Sequence, residues 1–465
     1  MPPAETGGRV LLTGFGGGQG TAAELRRPAS RAELVELVAG LAAAGRPILA
    51  RGLGRAYGDA ACSAGGAVLD TGALDRLLAL DAAAATVRAE AGLSLDALLR
   101  ESLPAGLFVP VTPGTRHVSL GGAVAADVHG KNHHREQSFG THLRALELVG
   151  ATGPRRLTPD EDGEAFWATV GGMGLTGVVT EVEMEMIRVE SAYMRVDTDR
   201  AADLEAAMAL LTEGDDRYRY SVAWVDCLAR GSSLGRSVLT RGEHALASEL
   251  SGPRAEAPLA YEPRRPFAVP FAPPLSAVNA LSGRALNALW YRKAARHAEA
   301  EIQTIASFFY PLDGLADWNL LYGPHGFTQY QLVVPFAAAA VVARVIETLQ
   351  REHQAVYLAV LKRFGPADPA PLSFPEPGWT LALDLALGRP GLAHALDLLD
   401  ELVLAAGGRV YLAKDGRLSP GRFAAMYPRL GEWREAAARL DPGGHFVSDL
   451  SSRLSLRHDR TGAPS

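Results

Sequence analysis

Residues 111–134 hold the densest set of groups in the chain that could do chemistry, and they read VTPGTRHVSLGGAVAADVHGKNHH. Small residues in the middle of this segment allow the backbone to lie close to a flat or charged ligand. Polar side chains follow at its end, and His129 is suited to proton transfer or hydrogen bonding because imidazole titrates near neutral pH. The segment, called the second cradle below, is predicted to lie along a large and partly anionic ligand.

A first glycine-rich segment precedes it. Residues 50–59 read ARGLGRAYGD and directly follow the short apolar run 47–49. A glycine-rich loop after a strand can aim successive backbone N–H groups at a phosphate. This first cradle and the second suit one extended ligand with a pyrophosphate in the middle.

The two cradles resemble the flavin-binding loops of FAD oxidoreductases of the vanillyl-alcohol-oxidase type. A third element fits, the run GGMGLTG at 171–177 followed by an alternating strand at 178–187. Over roughly residues 30–456 the chain is similar to the branch of that family that acts on polyprenyl-phosphoryl ribose. Besides HGKNHH, the motifs that carry this similarity are LWYRK (289–293), FFYPLD (308–313), GFTQYQ (326–331), KRFGP (362–366), PLSFPEPGW (371–379) and YLAKD (411–415).

The resemblance implies an α+β fold in three parts. Residues 1–193 form an FAD-binding domain of the PCMH type with two subdomains, residues 194–408 a substrate domain with an antiparallel sheet flanked by helices, and residues 409–465 a C-terminal return to the FAD-binding domain. The pattern itself predicts a helix from Ser30, with a capping box to Glu33. It also predicts strands at 86–91, 327–335, 357–364 and 409–414, and helices at 94–99, 337–351 and 392–406.

FAD is the cofactor that the resemblance implies. It is expected to be noncovalent, because Arg55 stands where some relatives carry the histidine that links to the flavin. The residues expected to contact FAD are Ala50, Arg51, Gly52, Leu53, Gly54, Arg55, Ala56, Tyr57, Gly58, Asp59, Ala60, Gly114, Ser119, Leu120, Gly121, Gly122, Ala126, Asp127, Val128, His129, Val179 and Tyr411.

The resemblance implies that three residues take part in the reaction: Lys414, His129 and Tyr57. Lys414 could stabilise negative charge on the reduced flavin or a developing alkoxide. It could serve as a base if burial lowered its pKa. Taken without the resemblance, Lys414 reads as a solvated surface lysine and His129 as a structural histidine.

The substrate pocket is expected to contain residues from the later motifs. Gln329 and Gln331 are two apart on a predicted strand, so both face one side and suit sugar hydroxyls. Lys362 offers a point charge for a phosphate. The full expected set is Trp224, Tyr310, Gln329, Gln331, Lys362, Phe364, Thr380 and Ala382. Thr380, Ala382 and Met173 stand where relatives carry Asn, Cys and Asn, which leaves the exact substrate open.

The function that the resemblance implies is oxidation of the C2′ hydroxyl of decaprenylphosphoryl-β-D-ribose to a ketone. This would be the first half of an epimerisation that makes the arabinose donor for cell-wall arabinan, with a short-chain keto-reductase as partner. One alternative is an alditol or aldonolactone oxidase that uses oxygen, and another is a non-catalytic scaffold that binds flavin or a sugar lipid. A nicotinamide dehydrogenase has weak support from the glycine run 14–20, which lacks a βαβ context; residues 1–20 are expected to be irregular and flexible.

Bulk composition limits the partners. The chain has 465 residues, 48% of them apolar, and a net charge of −6 with both signs interspersed, so nucleic acid is not an expected partner. Cys62 and Cys227 are expected to be buried thiols. His129, His133 and His134 lack neighbouring carboxylate or cysteine ligands, so no metal is predicted.

A lipid-linked substrate would be met at a membrane surface. The sequence shows no signal peptide and no uninterrupted apolar run of ~18 residues, the length a spanning helix needs. We therefore expect a peripheral protein on the cytoplasmic or periplasmic side of the inner membrane. The proline-rich residues 252–274 are either a mobile substrate-access loop or a plain linker.

Overall fold

The computed structural model describes residues 8–263, 267–270 and 280–457. The chain begins with a four-stranded sheet of order β1-β2-β4-β3, in which β1 and β2 form an antiparallel hairpin and β4 runs parallel to both β2 and β3. Helix α1 packs against it through Leu34, Val38 and Leu41. These elements are β1 (Arg9–Gly14), β2 (Gly17–Arg26), α1 (Arg31–Ala43), β3 (Ile48–Arg51) and β4 (Ala67–Asp70).

A second, antiparallel sheet of five strands follows, with the order β5-β6-β10-β8-β9. The second cradle lies between its strands in sequence and contains the short helices α3 and α4. The elements are β5 (Leu77–Asp81), β6 (Thr86–Glu90), α2 (Leu95–Ser102), β7 (Leu107–Phe108), α3 (Leu120–Ala125), α4 (His133–Glu136), β8 (Leu143–Gly150), β9 (Gly153–Leu157), α5 (Gly163–Thr169), β10 (Val178–Glu185) and β11 (Ile187–Arg188).

An eight-stranded, fully antiparallel sheet occupies the next part of the chain, in the order β16-β12-β14-β13-β19-β20-β18-β21. Its elements, with neighbouring pieces, are β12 (Tyr193–Ala201), α6 (Leu204–Thr212), β13 (Tyr220–Val225), β14 (Ser237–His244), α7 (Pro253–Glu256), β15 (Phe267–Ala268), α8 (Ala280–Lys293), β16 (His297–Thr304), α9 (Ile305–Phe309), β17 (Leu315–Ala316), β18 (Phe327–Pro335), α10 (Ala340–Arg351), β19 (Val356–Phe364), β20 (Gly378–Ala386), α11 (Leu392–Ala405) and β21 (Arg409–Val410).

The C-terminal part turns back towards the first sheet through α12 (Pro420–Met426), α13 (Leu430–Leu440) and α14 (Asp449–Arg453). The amide of Ile48 donates to the carbonyl of His445 at 2.8 Å, and the amide of Val447 donates to the carbonyl of Ile48 at 3.0 Å. Arg453 on α14 makes two 2.8 Å hydrogen bonds to the Asp59 carboxylate. The end of the chain is therefore tied to the first cradle.

Most predicted elements are present. The Ser30 hydroxyl caps α1 by accepting from the Glu33 amide at 3.2 Å, while the Glu33 carboxylate accepts from the Ala29 amide at 2.7 Å instead of completing the box on Ser30. In β10, Val182 and Met184 are buried and alternate with more exposed glutamates, as their period of two predicts. The α+β class is confirmed.

The prediction for the N-terminus was wrong from residue 9 onward, because residues 9–26 form the β1-β2 hairpin. Glycines in the hairpin turn allow it to lie on the first cradle, where the Phe15 amide donates to the Ala56 carbonyl at 2.8 Å. The Gly16 carbonyl accepts from the Phe327 amide at 2.8 Å, which adds a contact with β18. The glycine run thus serves close backbone packing.

One further prediction needs correction. The strand expected at 409–414 stops at Val410, and residues 411–415 form a turn in which the Asp415 amide donates to the Tyr411 carbonyl at 3.1 Å. The proline-rich segment contains the short elements α7 and β15, and its residues 264–266 and 271–274 lie outside the described part of the chain, so its role stays a prediction. The three-part division of the chain stays a prediction.

Candidate active site

The first cradle leaves β3 and touches two other parts of the chain. A Cβ on Gly52 would collide with the hydroxyl of Ser119, and a Cβ on Gly58 would overlap the carbonyl oxygen of Asp415. The Tyr57 amide donates to the carbonyl of Ala413 at 3.0 Å. Glycine at 52 and 58 therefore lets the first cradle lie against both the second cradle and the 411–415 turn.

The second cradle meets the first at the start of α3. The hydroxyl of Ser119 accepts from the Gly122 amide at 3.3 Å and caps the helix. The Gly121 amide donates to the Ala91 carbonyl at 2.7 Å, which fixes the turn against the strand before it. The absence of side chains at residues 121 and 122 keeps this wall free for a ligand.

A cavity of about 350 Å³ lies between the two cradles and the eight-stranded sheet. Three distant stretches of the sequence thus meet at one place. The predicted site residues that line the cavity are Ala50, Gly52, Leu53, Gly54, Arg55, Ala56, Tyr57, Ala60, Gly114, Ser119, Gly121, Gly122, Ala126, Val128, His129, Val179, Gln329, Gln331, Lys362, Ala382, Tyr411 and Lys414.

Five predicted flavin contacts do not line the cavity. Arg51 turns back and donates to the carbonyls of Thr13 and Ala61 at 2.9 Å each. Leu120 is fully buried in a hydrophobic core, and the buried Asp127 carboxylate accepts from the Gly140 amide at 2.9 Å. The other two are Gly58 and Asp59, whose contacts with Asp415 and Arg453 are given above. These residues hold the cradles in shape.

Lys414 lies over the ring of Tyr57, with its Nζ 3.7 Å from the ring centroid. Burial lowers the pKa of Lys414 to about 7, and the carboxylate of Asp384 acts in the opposite direction. The aromatic face and the carboxylate favour the ammonium, whereas burial favours the neutral amine. Both protonation states are therefore accessible near neutral pH.

Asp384 on β20 is a site residue that the sequence analysis missed. It is fully buried, and its Oδ1 accepts a 2.6 Å hydrogen bond from the Nε2 of Gln329. Burial raises the pKa of Asp384 to about 7, opposed by the Gln329 hydrogen bond and the charge of Lys414. The sequence could have identified Asp384. Thr380 and Ala382 alternate with leucines, and Asp384 is the next residue of this alternation, so it is expected on the same face.

One face of the eight-stranded sheet carries the predicted substrate residues. Gln331, Ala382, Val360 and Trp224 lie opposite one another on β18, β20, β19 and β13. Residues directly opposite in antiparallel strands share a face. Gln329 and Gln331 both reach the cavity, as their spacing predicts.

His129 is hydrogen-bonded through both ring nitrogens. Its Nδ1 is 3.1 Å from the Nζ of Lys362, and its Nε2 is 2.9 Å from the side-chain nitrogen of Gln331. Burial, followed by the charge of Lys362, holds the pKa of His129 well below its usual range, so the ring is neutral.

A neutral imidazole has one acceptor nitrogen, so the two contacts of His129 restrict the proton positions. Either the Gln331 amide turns its oxygen to Nε2–H and the Lys362 ammonium donates to Nδ1, or neutral Lys362 accepts from Nδ1–H. Burial, followed by the charges of Lys131 and Lys414, lowers the pKa of Lys362 to about 7. Both arrangements are therefore accessible near neutral pH.

Lysine is rare in this chain, with four residues among 46 basic ones. Three of them, Lys131, Lys362 and Lys414, have their pKa lowered by burial to about 7. Arginine stays charged at any pH a protein meets, so it cannot replace a residue that must lose its proton. Lysine at these three positions can therefore lose its proton near neutral pH, which arginine could not do.

Four predicted substrate residues do not line the cavity, and at least two of them, Phe364 and Thr380, contact residues that do. Phe364 packs edge-on to the His129 ring at a centroid distance of 4.8 Å. Thr380 accepts from the Gln331 side chain at 3.2 Å, and the hydroxyl of buried Tyr310 lies 2.7 Å from that of Thr112. The fourth, Trp224, sits at the end of the row described above.

Further residues line the cavity without having been predicted. Leu358 and Val360 precede Lys362 in the same alternation on β19, so the period of two could have identified them. Phe15 could not be identified, because nothing in a glycine run indicates that it folds onto the first cradle. The others of note are Leu312, Asp313 and Trp318, from the segment between α9 and β18.

The described ranges contain no group of three or more metal-ligating side chains. Among those same residues no helix is long and apolar enough to cross a membrane. Cys62 and Cys227 are free and buried, as predicted.

The residues present fit FAD. Glycine and alanine in both cradles leave room for a long ligand with a flat ring, and Lys414 and Lys362 bring positive charge to the same cavity. A sequence profile described as an FAD binding domain matches residues 22–158, which includes both cradles. Fold, cavity and profile together define an FAD-dependent oxidoreductase.

Comparison with known relatives assigns the chain to one family of FAD-dependent oxidoreductases. The chain is 42% identical to decaprenylphosphoryl-β-D-ribose oxidase of Mycolicibacterium smegmatis over 89% of this chain and 90% of that protein. It is 40% identical to an uncharacterised Streptomyces coelicolor protein over 78% of this chain and all of that one. L-gulono-1,4-lactone dehydrogenase of Mycobacterium tuberculosis is 26% identical over 42% of this chain and 45% of its own length. The chain belongs to the decaprenylphosphoryl-β-D-ribose oxidase family.

Proposed function

We propose that this protein oxidises the C2′ hydroxyl of a polyprenyl-phosphoryl ribose, decaprenylphosphoryl-β-D-ribose being the expected form, to the 2′-ketone. The observation that carries the proposal is the meeting of Lys414, Lys362 and His129 in one cavity with the two glycine cradles. Similarity to the M. smegmatis oxidase over nearly the whole chain supports the same substrate class.

The two cradles hold FAD, which supplies the acceptor for the hydride that leaves the substrate carbon. We propose that it is bound noncovalently. Arg55 is the residue at the linking position, and its guanidinium lies 4.9 Å from the centroid of the Phe15 ring while its Nε donates to the His117 carbonyl at 3.1 Å. A guanidinium is a poor nucleophile, so Arg55 contributes packing and charge rather than a covalent link.

Lys414 is the proposed proton acceptor. As the neutral amine it takes the hydroxyl proton while the C–H bond breaks, and the resulting ammonium then offsets the negative charge that builds up beside it. The ring of Tyr57 holds the Nζ in place and favours the charged product state. The pKa of about 7 matches the task, because a base works best when its pKa is close to the working pH.

The remaining polar groups bind the substrate. Lys362, oriented by His129, is proposed to meet the phosphate, and Gln329 and Gln331 the ribose hydroxyls. Ala382 leaves space in the centre of this wall. Trp224, Tyr310, Phe364 and Thr380 support the wall from behind or beside it.

The ketone product requires a second enzyme to complete an epimerisation. We propose a short-chain keto-reductase that uses a nicotinamide cofactor as the partner in that step. We further propose peripheral contact with the inner membrane, on its cytoplasmic or periplasmic side, because the polyprenyl chain of the substrate resides in lipid.

The test is an anaerobic titration of the purified protein with a synthetic short-chain polyprenyl-phosphoryl ribose, followed by its visible spectrum. Bleaching of the yellow flavin by this substrate, and not by free alditols or aldonolactones, is the expected result. Bleaching by free sugars alone would show that the substrate is a free alditol or aldonolactone, as the names of the distant relatives indicate for them. A yellow protein that no sugar bleaches would support a binding scaffold.

A further inference from the structure

Helix α8 exposes an apolar surface that is not explained by packing within the described parts of the chain. Leu286, Leu289 and Trp290 are 63%, 64% and 55% exposed. Their spacing of three and four residues puts them on one side of the helix. We call these three residues the α8 patch.

The opposite side of α8 is anchored to the protein. The amide of Asn287 donates to the Asp226 carboxylate at 2.9 Å, and the Tyr291 hydroxyl donates to the Ala201 carbonyl at 3.2 Å. The guanidinium of Arg236 lies 4.8 Å from the centroid of the Tyr291 ring. The helix is thus held in a fixed orientation with its α8 patch facing outward.

Positive charge lies on and directly after α8, and we call these basic residues the basic rim. Arg284, Arg292, Lys293 and Arg296 are all exposed and lie on or directly after the helix. Between Glu262 and Glu299 the sequence has six arginines and lysines and no acidic residue, although the whole chain has a net charge of −6. Such a concentration of one sign beside exposed leucine and tryptophan is typical of a helix that lies in the interface of an anionic membrane.

The α8 patch is also close to the cavity. A Cβ on Gly283, in the first turn of α8, would lie 3.4 Å from the Tyr357 ring. Tyr357 packs in one aromatic cluster with Phe15, Tyr57 and Trp318, which line the cavity. The rise of an α-helix separates Gly283 from the α8 patch by roughly 5–10 Å along the axis. A lipid tail leaving the cavity beside this cluster would therefore have a short path to this surface.

We propose that the α8 patch and its basic rim dock the protein on an anionic lipid surface, with Trp290 at the level of the head groups. A protein partner is the competing occupant. The basic rim and the lack of acidic residues in the sequence from 263 to 298 favour lipid, because a protein interface carries no general requirement for charge of a single sign. The inference deepens the proposed function, since it names the surface through which a lipid-linked substrate would be reached.

The test measures binding of the FAD-loaded protein to sedimented vesicles of phosphatidylcholine with phosphatidylglycerol, and to vesicles of phosphatidylcholine alone. Wild-type protein is expected to bind the anionic vesicles and to be released by salt. Replacing Leu286→Glu and Trp290→Glu together is expected to reduce binding at least tenfold. Removing Arg292 and Lys293 by Arg292→Gln and Lys293→Gln is expected to weaken it about fivefold per charge.

Leu246→Glu is the matched control, because Leu246 is a half-exposed leucine that lies outside α8, and it should bind as wild type does. Vesicle binding by the Leu286→Glu, Trp290→Glu variant equal to wild type would overturn the proposal. If that variant kept vesicle binding but lost turnover coupled to a keto-reductase, the surface would be a protein interface instead. Flavin bleaching with a short-chain substrate in detergent tests the proposed function separately, since it needs no membrane.

Discussion

At the scale of single residues, the site is built from amines that can lose a proton. Lys414 and Lys362 each have a pKa near 7 because the cavity desolvates them, and no carboxylate is hydrogen-bonded to either Nζ among the described contacts. The remaining basic charge of the chain is almost entirely arginine. The proposed role of Lys414 depends on a proton that moves, and not on a fixed positive charge.

Replacement of Lys414 tests this directly. Lys414→Ala is expected to slow flavin reduction by substrate about 10²–10⁴-fold, the contribution usual for a general base, while FAD stays bound. Lys414→Arg is expected to be almost as slow, because arginine keeps the charge but cannot accept a proton. Stopped-flow bleaching and the bound-flavin ratio measure both. Near-wild-type reduction by Lys414→Arg would show that charge alone suffices.

The carboxylate of Asp384 opposes the effect of burial on the pKa of Lys414. The Asp384 charge raises the pKa of Lys414, so Asp384→Asn lowers that pKa. Because the neutral amine is the active form, the rate should rise with pH through about 7 in the wild type, and the midpoint should move to lower pH in the variant. Single-turnover rates across pH measure this shift.

The matched control for that experiment is Asp400→Asn. Asp400 is equally buried and has its pKa raised to about 6 by burial, but its partners are Tyr330 and Arg417, outside the cavity. Its replacement should leave the midpoint unchanged. If the pH midpoint of the Asp384→Asn variant did not change, or moved to higher pH, the charge of Asp384 would not raise the pKa of Lys414.

At the scale of elements, the cradles depend on close approach between backbones. The first cradle touches the 411–415 turn at Gly58, where the Asp415 carbonyl occupies the space of a side chain. The same turn presents Lys414 to the cavity. The packing of the first cradle and the position of Lys414 are thus coupled through one backbone contact.

Gly58→Ala is expected to destabilise the protein by about 1–3 kcal/mol, the usual cost of forcing an extra carbon into a packed site. It should also weaken FAD binding and slow reduction, because the 411–415 turn must move. Gly40→Ala is the control, since Gly40 lies in α1 with nothing within 4 Å of the added carbon. Thermal unfolding and flavin titration compare the two variants. Equal stability of Gly58→Ala and Gly40→Ala would contradict the close contact between Gly58 and Asp415.

Elements with a regular period could be predicted from the sequence, and irregular ones could not. The alternation predicted for β18 placed Gln329 and Gln331 correctly on one face, whereas Ala382 came from the family resemblance. The 411–415 segment was expected to continue as a strand because its apolar pattern gives no sign of the turn. The β1-β2 hairpin was missed because the glycines at and around its turn were taken as a flexible segment, although most of the paired residues, such as Val10 with Ala23, are not glycine.

At the scale of the whole molecule, a buried carboxyl cluster joins the second cradle to the segment before β20. The Ser373 hydroxyl lies 2.5 Å from Asp127 and 3.1 Å from Asp368. One hydroxyl hydrogen cannot serve two carboxylates at once, so a proton on one of the carboxyls would stabilise the cluster. Burial, followed by the charge of Asp368, raises the pKa of Asp127 well above its usual value.

A carboxyl with a raised pKa in the folded state stabilises the fold below its unfolded pKa of about 4 and loses that contribution as pH rises through the folded pKa. Asp127→Asn imitates the protonated form at every pH. The variant should therefore gain stability relative to wild type between pH 5 and pH 8, measured by denaturant unfolding at the two values. Asp75→Asn, at an exposed position, should show no such gain. If the Asp127→Asn variant and the wild type lost stability equally between pH 5 and pH 8, the shared proton would be contradicted.

The positions of the two cysteines allow a labelling experiment on the cavity. Both cysteines are buried, and neither lines the cavity, while Ala382 occupies the middle of the sheet face that does. An Ala382→Cys variant would carry a single reagent-accessible sulfur, placed among the proposed sugar contacts. Its rate of modification by a maleimide would then report occupancy of the cavity by any ligand, coloured or colourless, reduced or oxidised, without turnover being required.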